Sequence, residues 1–152
     1  MKTYVKPMID MKKAGFILTV ALAGIISIFC TAFKAVQEEP REKWVAPSSA
    51  DRMVNPLKAD SNTIAEAFGL YKRNCEQCHG QKGKGDGWQI QNVSQKIADI
   101  ASPEIQKQSD GALYWKITSG NKPMPGMKKD LTETQRWKLV LYVRDLAKQA
   151  AK

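Results

Sequence analysis

Histidine and cysteine are scarce in this sequence, with one histidine and three cysteines among 152 residues. A structural zinc site takes four protein ligands, usually thiolates and imidazoles. Cys30 lies in the N-terminal uncharged run, so the rest of the chain offers only two cysteines and one histidine, too few for a site of the usual kind. Alternating strand patterns and internal repeats are also missing, whereas a thioredoxin-like cysteine pair is expected beside a strand of a βαβ unit. The sequence therefore argues against both zinc binding and thiol–disulfide exchange.

Acidic residues are outnumbered: 15 Asp and Glu face 24 Lys and Arg, which gives a net charge of +9. The excess is uneven, because residues 1–35 carry five lysines and a single acid, Asp10. The remaining chain, 36–152, is only mildly basic, which favours docking to an acidic protein over binding to nucleic acid. With 43% hydrophobic and 26% charged residues, the chain has the composition of one globular domain.

The first 35 residues have the features of a targeting segment. Lys12 and Lys13 precede an uncharged run over residues 14–33, as in a secretory signal, and residues 30–32 would supply a small-x-small cleavage site. The run is also long enough to cross a bilayer, so a retained membrane anchor remains open, as does a lipidated Cys30. All three interpretations export the domain, and we expect it on the periplasmic side of the inner membrane.

Residues 36–60 are predicted to form an extended linker, because each of three prolines biases the residue before it away from the helix. These prolines are Pro40, Pro47 and Pro56. Apolar side chains in the same stretch indicate that part of it packs along the domain surface. They are Trp44, Val45, Met53, Val54 and Leu57.

Helical patterns account for residues 61–150. Asp60 or Ser61 can cap a first helix, and a capping box between Thr132 and Gln135 begins the last one. Shorter helices are predicted from Ser102-Pro103-Glu104 and over residues 109–119. The apolar face of the first helix is formed by Ile64, Ala67, Phe68 and Tyr71, and that of the last by Trp137, Leu139, Val140, Tyr142, Val143, Leu146 and Ala150. The predicted fold class is all-α, with one small helical domain.

The segment CEQCHG, residues 75–80, places two cysteines and the histidine directly after the first helix. Cysteines three positions apart present their sulfurs to the same side of a helical turn. Each can form a thioether with one vinyl group of a porphyrin, and the adjacent imidazole then binds the iron from the same face. The spacing therefore predicts one covalent haem c per chain, held by Cys75 and Cys78, with His79 as an axial ligand.

The other axial ligand cannot be a second histidine of the same chain. Met53 precedes the haem-binding segment, whereas Met124 and Met127 lie in a loop rich in proline and glycine that follows it. Prolines on both sides of Met124 restrict its backbone, which favours Met124 as the ligand and leaves Met127 to core packing. Met127, Lys122, Lys128 and water stay open as alternatives.

Over residues 60–150 the chain resembles class I cytochromes c. The resemblance rests on CEQCHGQKGKGDG at 75–87 and ITSGNKPMPGMKKDLTETQRWKLVLYVRDL at 117–146. It implies a cytochrome c-like fold around one haem, and it makes the methionine of the Met-Pro pair, Met124, the distal ligand. The preceding segment WVAPSSADRMVNP, residues 44–56, is similar to one found in membrane-associated monohaem subunits of bacterial respiratory complexes.

One departure from the family concerns the haem-binding histidine. After GDGWQIQ, residues 85–91, no Gly-Pro pair is present to supply the carbonyl that accepts a hydrogen bond from the free N–H of that histidine. Ligating histidines almost always have such an acceptor. We therefore expect one here, without assigning it to a residue.

An iron with both axial positions taken has no place for substrate and passes single electrons. The expected function is electron transfer without catalytic residues, as an exported carrier or a subunit of a respiratory complex. The alternative is the cytochrome subunit of a dehydrogenase or another periplasmic oxidoreductase. The expected partners are redox proteins with an acidic docking surface, which would face Lys82, Lys84, Lys122, Lys128 and Lys129.

Overall fold

The computed structural model describes residues 43–150. Its α-helices are, in chain order, α1 Ser48–Asp51, α2 Ser61–Asn74, α3 Glu76–His79, α4 Pro103–Gln106, α5 Asp110–Ser119 and α6 Glu133–Ala150, with a 3-10 helix, Trp88–Asn92, between α3 and α4. The described range contains no β-strand, and its isolated bridge joins Asn121 to Met124. The predicted all-α fold is confirmed.

The two long helices begin where their capping residues predict. The Asp60 carboxylate accepts a hydrogen bond from the Thr63 N–H at 2.8 Å. At the start of α6, the Thr132 N–H donates to Gln135 Oε1 at 2.9 Å and the Gln135 N–H donates to Thr132 Oγ1 at 3.2 Å, which is a complete capping box. Pro103 is the first residue of α4, as predicted.

Helix α2 packs across α6 and forms the larger part of the core. This cluster contains Ala67, Leu70, Tyr71, Met127, Leu131, Leu139, Tyr142 and Leu146. The Tyr71 and Tyr142 rings meet with their centroids 4.9 Å apart. Phe68 lies at the edge of this contact and is 43% exposed, so the predicted apolar face of α2 is only partly covered.

Helix α5 packs on the other side of α6 in a second cluster. It consists of Leu113, Tyr114, Trp137, Val140 and Val143. The Tyr114 and Trp137 rings are stacked, with their centroids 4.0 Å apart. Helix α6 therefore contacts both the helix that leads into the CEQCH segment and the helix that leads into the Met124 loop.

The leader, residues 43–60, is not fully extended as predicted, because α1 forms within it. Pro47 itself is extended, and Pro56 restricts only Asn55 before it, so residues 48–54 between the two prolines are free to turn. Residues 1–42, which include the predicted targeting segment, lie outside the described residues. None of the helices described is long and apolar enough to cross a membrane.

Packing of the leader on the domain is confirmed for some of its apolar residues. Trp44 meets Trp115 of α5 with ring centroids 6.3 Å apart, and Leu57 packs against the α5–α6 cluster. Val45 and Val54 are 66% and 83% exposed, so the prediction is wrong for them. The Asn55 side-chain amide donates to the Trp137 carbonyl at 3.2 Å, which fixes the end of the leader to α6.

The leader and α5 approach each other so closely that only glycine fits at position 111. A methyl group there would overlap the Ala50 carbonyl oxygen and lie 2.8 Å from Met53 Cβ. We expect Gly111→Ala to lower the free energy of unfolding by about 1–3 kcal/mol through overpacking. In α2, a methyl on Gly69 would meet only the end of the Arg73 side chain, at 3.4 Å, so Gly69→Ala should raise that free energy by up to about 1 kcal/mol. Urea titration of both variants measures the change in the free energy of unfolding. Stabilisation by Gly111→Ala would contradict the tight contact between the leader and α5.

Candidate haem site

Residues 75–79 form one tight turn that brings both cysteines and the histidine together. The N–H groups of Cys78 and His79 both donate to the Cys75 carbonyl, at 3.1 and 2.9 Å. The Cys75 N–H in turn donates to the Tyr71 carbonyl at 2.8 Å, which connects the turn to the last residues of α2. The predicted grouping of Cys75, Cys78 and His79 is therefore present in the fold.

The two thiols are not joined to each other and lie in different surroundings. Both cysteines are free and half-buried. Cys75 packs against the α2–α6 core, and burial, followed by the proximity of Cys78, raises the pKa of its thiol to about 12. Cys78 Sγ lies 3.9 Å from Gln89 Oε1 in the 3-10 helix. A thiol that stays neutral at physiological pH is a poor nucleophile for disulfide exchange.

The imidazole of His79 is fixed by the backbone carbonyl of Ala98, which lies 3.2 Å from Nδ1. Because a carbonyl only accepts, this contact requires the hydrogen on Nδ1 and leaves the lone pair of Nε2 for a metal. Burial lowers the pKa of His79 despite the Ala98 contact, so the neutral, metal-binding form is favoured. Ala98 is the acceptor that the sequence left unassigned.

Ala98 reaches His79 because the chain around it lies directly on the glycine loop, residues 80–87. The Ile100 N–H donates to the Gly83 carbonyl at 2.8 Å, and Lys84 pairs with Asp99 at 3.1 Å. Gly85 has φ +76°, and a side chain there would overlap the carbonyl of Ile97. No residue type marks Ala98 as an acceptor, since any backbone carbonyl at that point would serve. Only the three-dimensional path of the chain identifies it.

The methionine loop, residues 120–131, follows α5 on a separate part of the chain. Gly120 ends α5 with φ +67°. Asn121 and Met124 then exchange two backbone hydrogen bonds, at 3.0 and 2.9 Å, across a turn that contains a cis Lys122–Pro123 bond. Met124 is half-buried. The loop is thus a closed turn with Met124 at its end.

The three methionines of the described chain differ in their surroundings. Met127 is 7% exposed and belongs to the α2–α6 core, and its N–H donates to the Ile117 carbonyl at 2.9 Å. The prediction that Met127 serves core packing is confirmed. Met53 lies in the leader and is 38% exposed. Met124 is the methionine of the loop whose thioether is not part of either apolar cluster around α6.

The chemistry of this donor set fits a c-type haem. Two unpaired thiols and an imidazole with its Nε2 lone pair available lie on one turn, which is the requirement for two thioether bonds and one axial ligand. Within residues 43–150 no group of three or more His, Cys, Asp or Glu side chains is arranged to hold a metal ion. Cys75, Cys78 and His79 are therefore the residues that would hold a haem, and Met124 is the candidate for a second iron ligand.

Tyr71 also stabilises the haem-binding turn, because its hydroxyl donates a hydrogen bond to the buried Gly80 carbonyl at 2.6 Å. We expect Tyr71→Phe to lower the free energy of unfolding by about 1–3 kcal/mol, because that carbonyl loses its partner. Tyr142 contacts the same ring at an interplanar angle of 44°, but its hydroxyl makes no hydrogen bond within the described residues. The matched variant Tyr142→Phe should change the free energy by less than about 0.5 kcal/mol. Equal effects of the two variants in denaturant titrations would show that the Gly80 contact contributes nothing.

Comparison with known proteins places this chain in a family. A search of curated proteins finds no match. Among solved structures, the chain is similar to one described as the Kuenenia stuttgartiensis reducing HAO-like protein complex Kustc0457/Kustc0458, with 30% identity and a TM-score of 0.54. The similarity covers 60% of this chain and 46% of that one, so the chain spans about half the length of the protein it matches.

Residues 62–143, more than half of the chain, match the family model described as cytochrome c oxidase, cbb3-type, subunit III. This range contains the haem-binding turn, the glycine loop and the methionine loop, and it supports the predicted resemblance to monohaem class I cytochromes c. Such domains transfer electrons through covalently bound haem. The chain belongs to the family of cytochrome c oxidase, cbb3-type, subunit III, and its residues 62–143 form a cytochrome c domain of the electron-transfer type.

Proposed function

We propose that the chain carries a single haem c, attached through Cys75 and Cys78 and ligated by His79 and Met124. The observation that carries this proposal is the turn at residues 75–79, where both thiols are unpaired and the Ala98 carbonyl fixes the imidazole tautomer. The haem supplies one-electron chemistry when bound. His79 holds its Nε2 toward the metal, and Met124 supplies a soft neutral sulfur, a combination that raises the potential relative to two imidazoles.

With both axial positions assigned to protein side chains, no catalytic residue is needed and no substrate position is assigned. The chain's own contribution is to exclude water, orient the imidazole and keep the sulfur in place. We assign most of these contributions to the apolar clusters on both sides of α6. The proposed activity is outer-sphere transfer of one electron to and from another protein.

The proposed setting is the periplasmic side of the inner membrane, where the chain acts as a carrier or as an electron-transfer subunit of a respiratory complex. The charged start and uncharged run of residues 1–35 support export. A second candidate is the cytochrome subunit of a dehydrogenase or other oxidoreductase. It is favoured by the likeness to a protein of a reducing HAO-like complex. Purification of the native protein from membranes and from the soluble fraction, followed by identification of stoichiometric partners, separates the two candidates.

The ligand set predicts a specific contrast between two methionines. Wild-type protein should weigh more than its polypeptide by one haem, and its oxidised form should show the weak sulfur-to-iron charge-transfer absorption. Met124→Ala should lose that absorption and bind carbon monoxide in the reduced state, because an axial position opens.

The matched variant Met127→Ala should keep the absorption and resist carbon monoxide, while losing about 2–5 kcal/mol of unfolding free energy from the cavity in the core. A colourless protein would overturn the haem assignment. Loss of the charge-transfer band in Met127→Ala but not in Met124→Ala would exchange the roles of the two methionines.

Lysines near the two loops are proposed to steer an acidic partner. Lys82, Lys84, Lys122, Lys128 and Lys129 are all exposed. Lys84 is partly neutralised by Asp99, at 3.1 Å, so the steering charge is concentrated at the methionine loop. Attraction of this kind acts over a Debye length of about 10 Å at 0.1 M salt.

This proposal is tested with two double variants of equal net charge. Electron transfer to an anionic reagent, hexacyanoferrate(III), should slow with rising salt in the wild type and become less salt-dependent in Lys122→Gln/Lys128→Gln. Lys58→Gln/Lys148→Gln removes the same charge from exposed positions in the leader and at the end of α6, and should retain most of the wild-type salt dependence. Identical behaviour of both variants would show that only total charge matters.

A further inference from the structure

We propose that Arg136 is a positioning residue for the methionine loop, and that its guanidinium keeps the Met124 sulfur on the iron. This inference rests on the ligand set proposed above. It concerns a side chain that does not touch the haem-binding turn and that the sequence patterns did not single out. Arg136 lies in the first turn of α6.

Arg136 is unusual because it is a buried charge without an acidic partner. Its side chain is 8% exposed, and it is the one charged residue among those described that is classed as buried. The ion pairs within residues 43–150 involve other residues: Lys84–Asp99, Lys138–Glu66 and Arg144–Asp110. Burying an unpaired cation is expensive unless hydrogen bonds compensate. The contacts that Arg136 makes therefore indicate its role.

Those contacts join the two ends of the methionine loop. On one side, Nη1 donates to the Leu131 carbonyl at 2.5 Å and reaches the Lys128 carbonyl at 3.5 Å. On the other side, Nη2 donates to the Tyr114 hydroxyl at 2.9 Å, and the guanidinium carbon lies 5.3 Å from the centre of that ring. Tyr114 belongs to α5, which leads into the loop, whereas residues 128–131 lead out of it.

A planar guanidinium can hold all of these groups at once, and an ammonium cannot. Tyr114 is itself held by stacking on Trp137, with ring centroids 4.0 Å apart, so its hydroxyl is a fixed anchor. The Met127 N–H adds a further bond to α5, through the Ile117 carbonyl at 2.9 Å. These contacts hold the two ends of the loop that carries Met124 together. Arg136 provides the contacts that come from α6.

Closure matters because a thioether is a weak, neutral ligand whose occupancy depends on how often the loop holds it near the metal. When a loop opens part of the time, the apparent affinity of an external ligand for the exposed position rises in proportion to the open fraction. A substitution that removes the Arg136 contacts should therefore increase the affinity of the protein for an added iron ligand. It need not change the haem-binding turn.

Imidazole titration of the oxidised holoprotein tests this inference, with loss of the sulfur-to-iron absorption as the signal. In Arg136→Lys the apparent association constant of imidazole should rise about tenfold, as expected when one charge-assisted hydrogen bond is lost. The milder variant Tyr114→Phe removes only one partner and keeps the stacked ring, so it should give a smaller rise in the same direction.

Arg144→Lys is the matched control. Arg144 is also on α6 and partly buried, and it binds Asp110 at 2.8 Å and the Gln108 carbonyl at 2.6 Å, both away from the methionine loop. Arg144→Lys should unfold at a lower urea concentration than the wild type. Its association constant for imidazole should stay within about twofold of the wild-type value, because mutations at separate sites act independently.

Two results would overturn the inference. If Arg136→Lys and Tyr114→Phe bind imidazole no more tightly than Arg144→Lys, Arg136 does not hold the loop. If Arg144→Lys binds it as tightly as Arg136→Lys, general stability accounts for the effect. If Arg136→Lys does not fold, Tyr114→Phe decides alone. A wild-type protein without the charge-transfer absorption would instead refute the proposed ligand set, which the inference requires.

Discussion

The hydrogen bond between His79 Nδ1 and the Ala98 carbonyl is the contact on which the site depends. It selects the tautomer whose Nε2 can bind a metal, and it sets the direction of the ring. The bond exists only because residues 97–100 are pressed onto the glycine loop, where Gly85 leaves room for the Ile97 carbonyl. A change in the loop's backbone would therefore reach the imidazole without altering any ligand. This close approach explains Gly83 and Gly85, because a side chain at either position would meet Ile100 or Ile97.

Helix α6 connects the two halves of the site. Its contact with α2 supports the haem-binding turn through Tyr71, and its contact with α5 supports the methionine loop through Trp137 and Arg136. Ile100 and Ile117 pack against both apolar clusters, so the clusters are not independent. The haem-binding turn and the methionine loop are thus both tied to α6, through the side chains on its opposite faces. Because side chains in protein interiors are close-packed, a displacement at one of these contacts is transmitted to its neighbours.

The sequence was sufficient to predict features that depend only on residues a few positions apart in the chain. The caps at Asp60, Ser109 and Thr132 each act on an N–H group three residues away, so composition and spacing located all three helix starts. Ala98 could not be predicted, because a backbone carbonyl carries no sequence signal. The role of Arg136 depends on Tyr114 and Leu131, which only the fold brings together. Helix α1 was missed for the opposite reason: prolines restrict the residue before them, but the stretch between Pro47 and Pro56 keeps the freedom to turn.

The protonation states of the haem-binding turn show that the fold prepares neutral ligands. Burial raises the pKa of Cys75 to about 12 and lowers that of His79, so both shifts favour the uncharged form. For the chain before haem attachment, the histidine shift reduces stability as pH falls below the ordinary imidazole value of about 6.5. The cysteine shift reduces stability as pH rises above the ordinary thiol value of about 8.5. Stability from these two groups is therefore greatest between those values. The proposed thioether at Cys75 and iron bond at His79 would remove both titrations, because neither atom can gain or lose a proton while bonded.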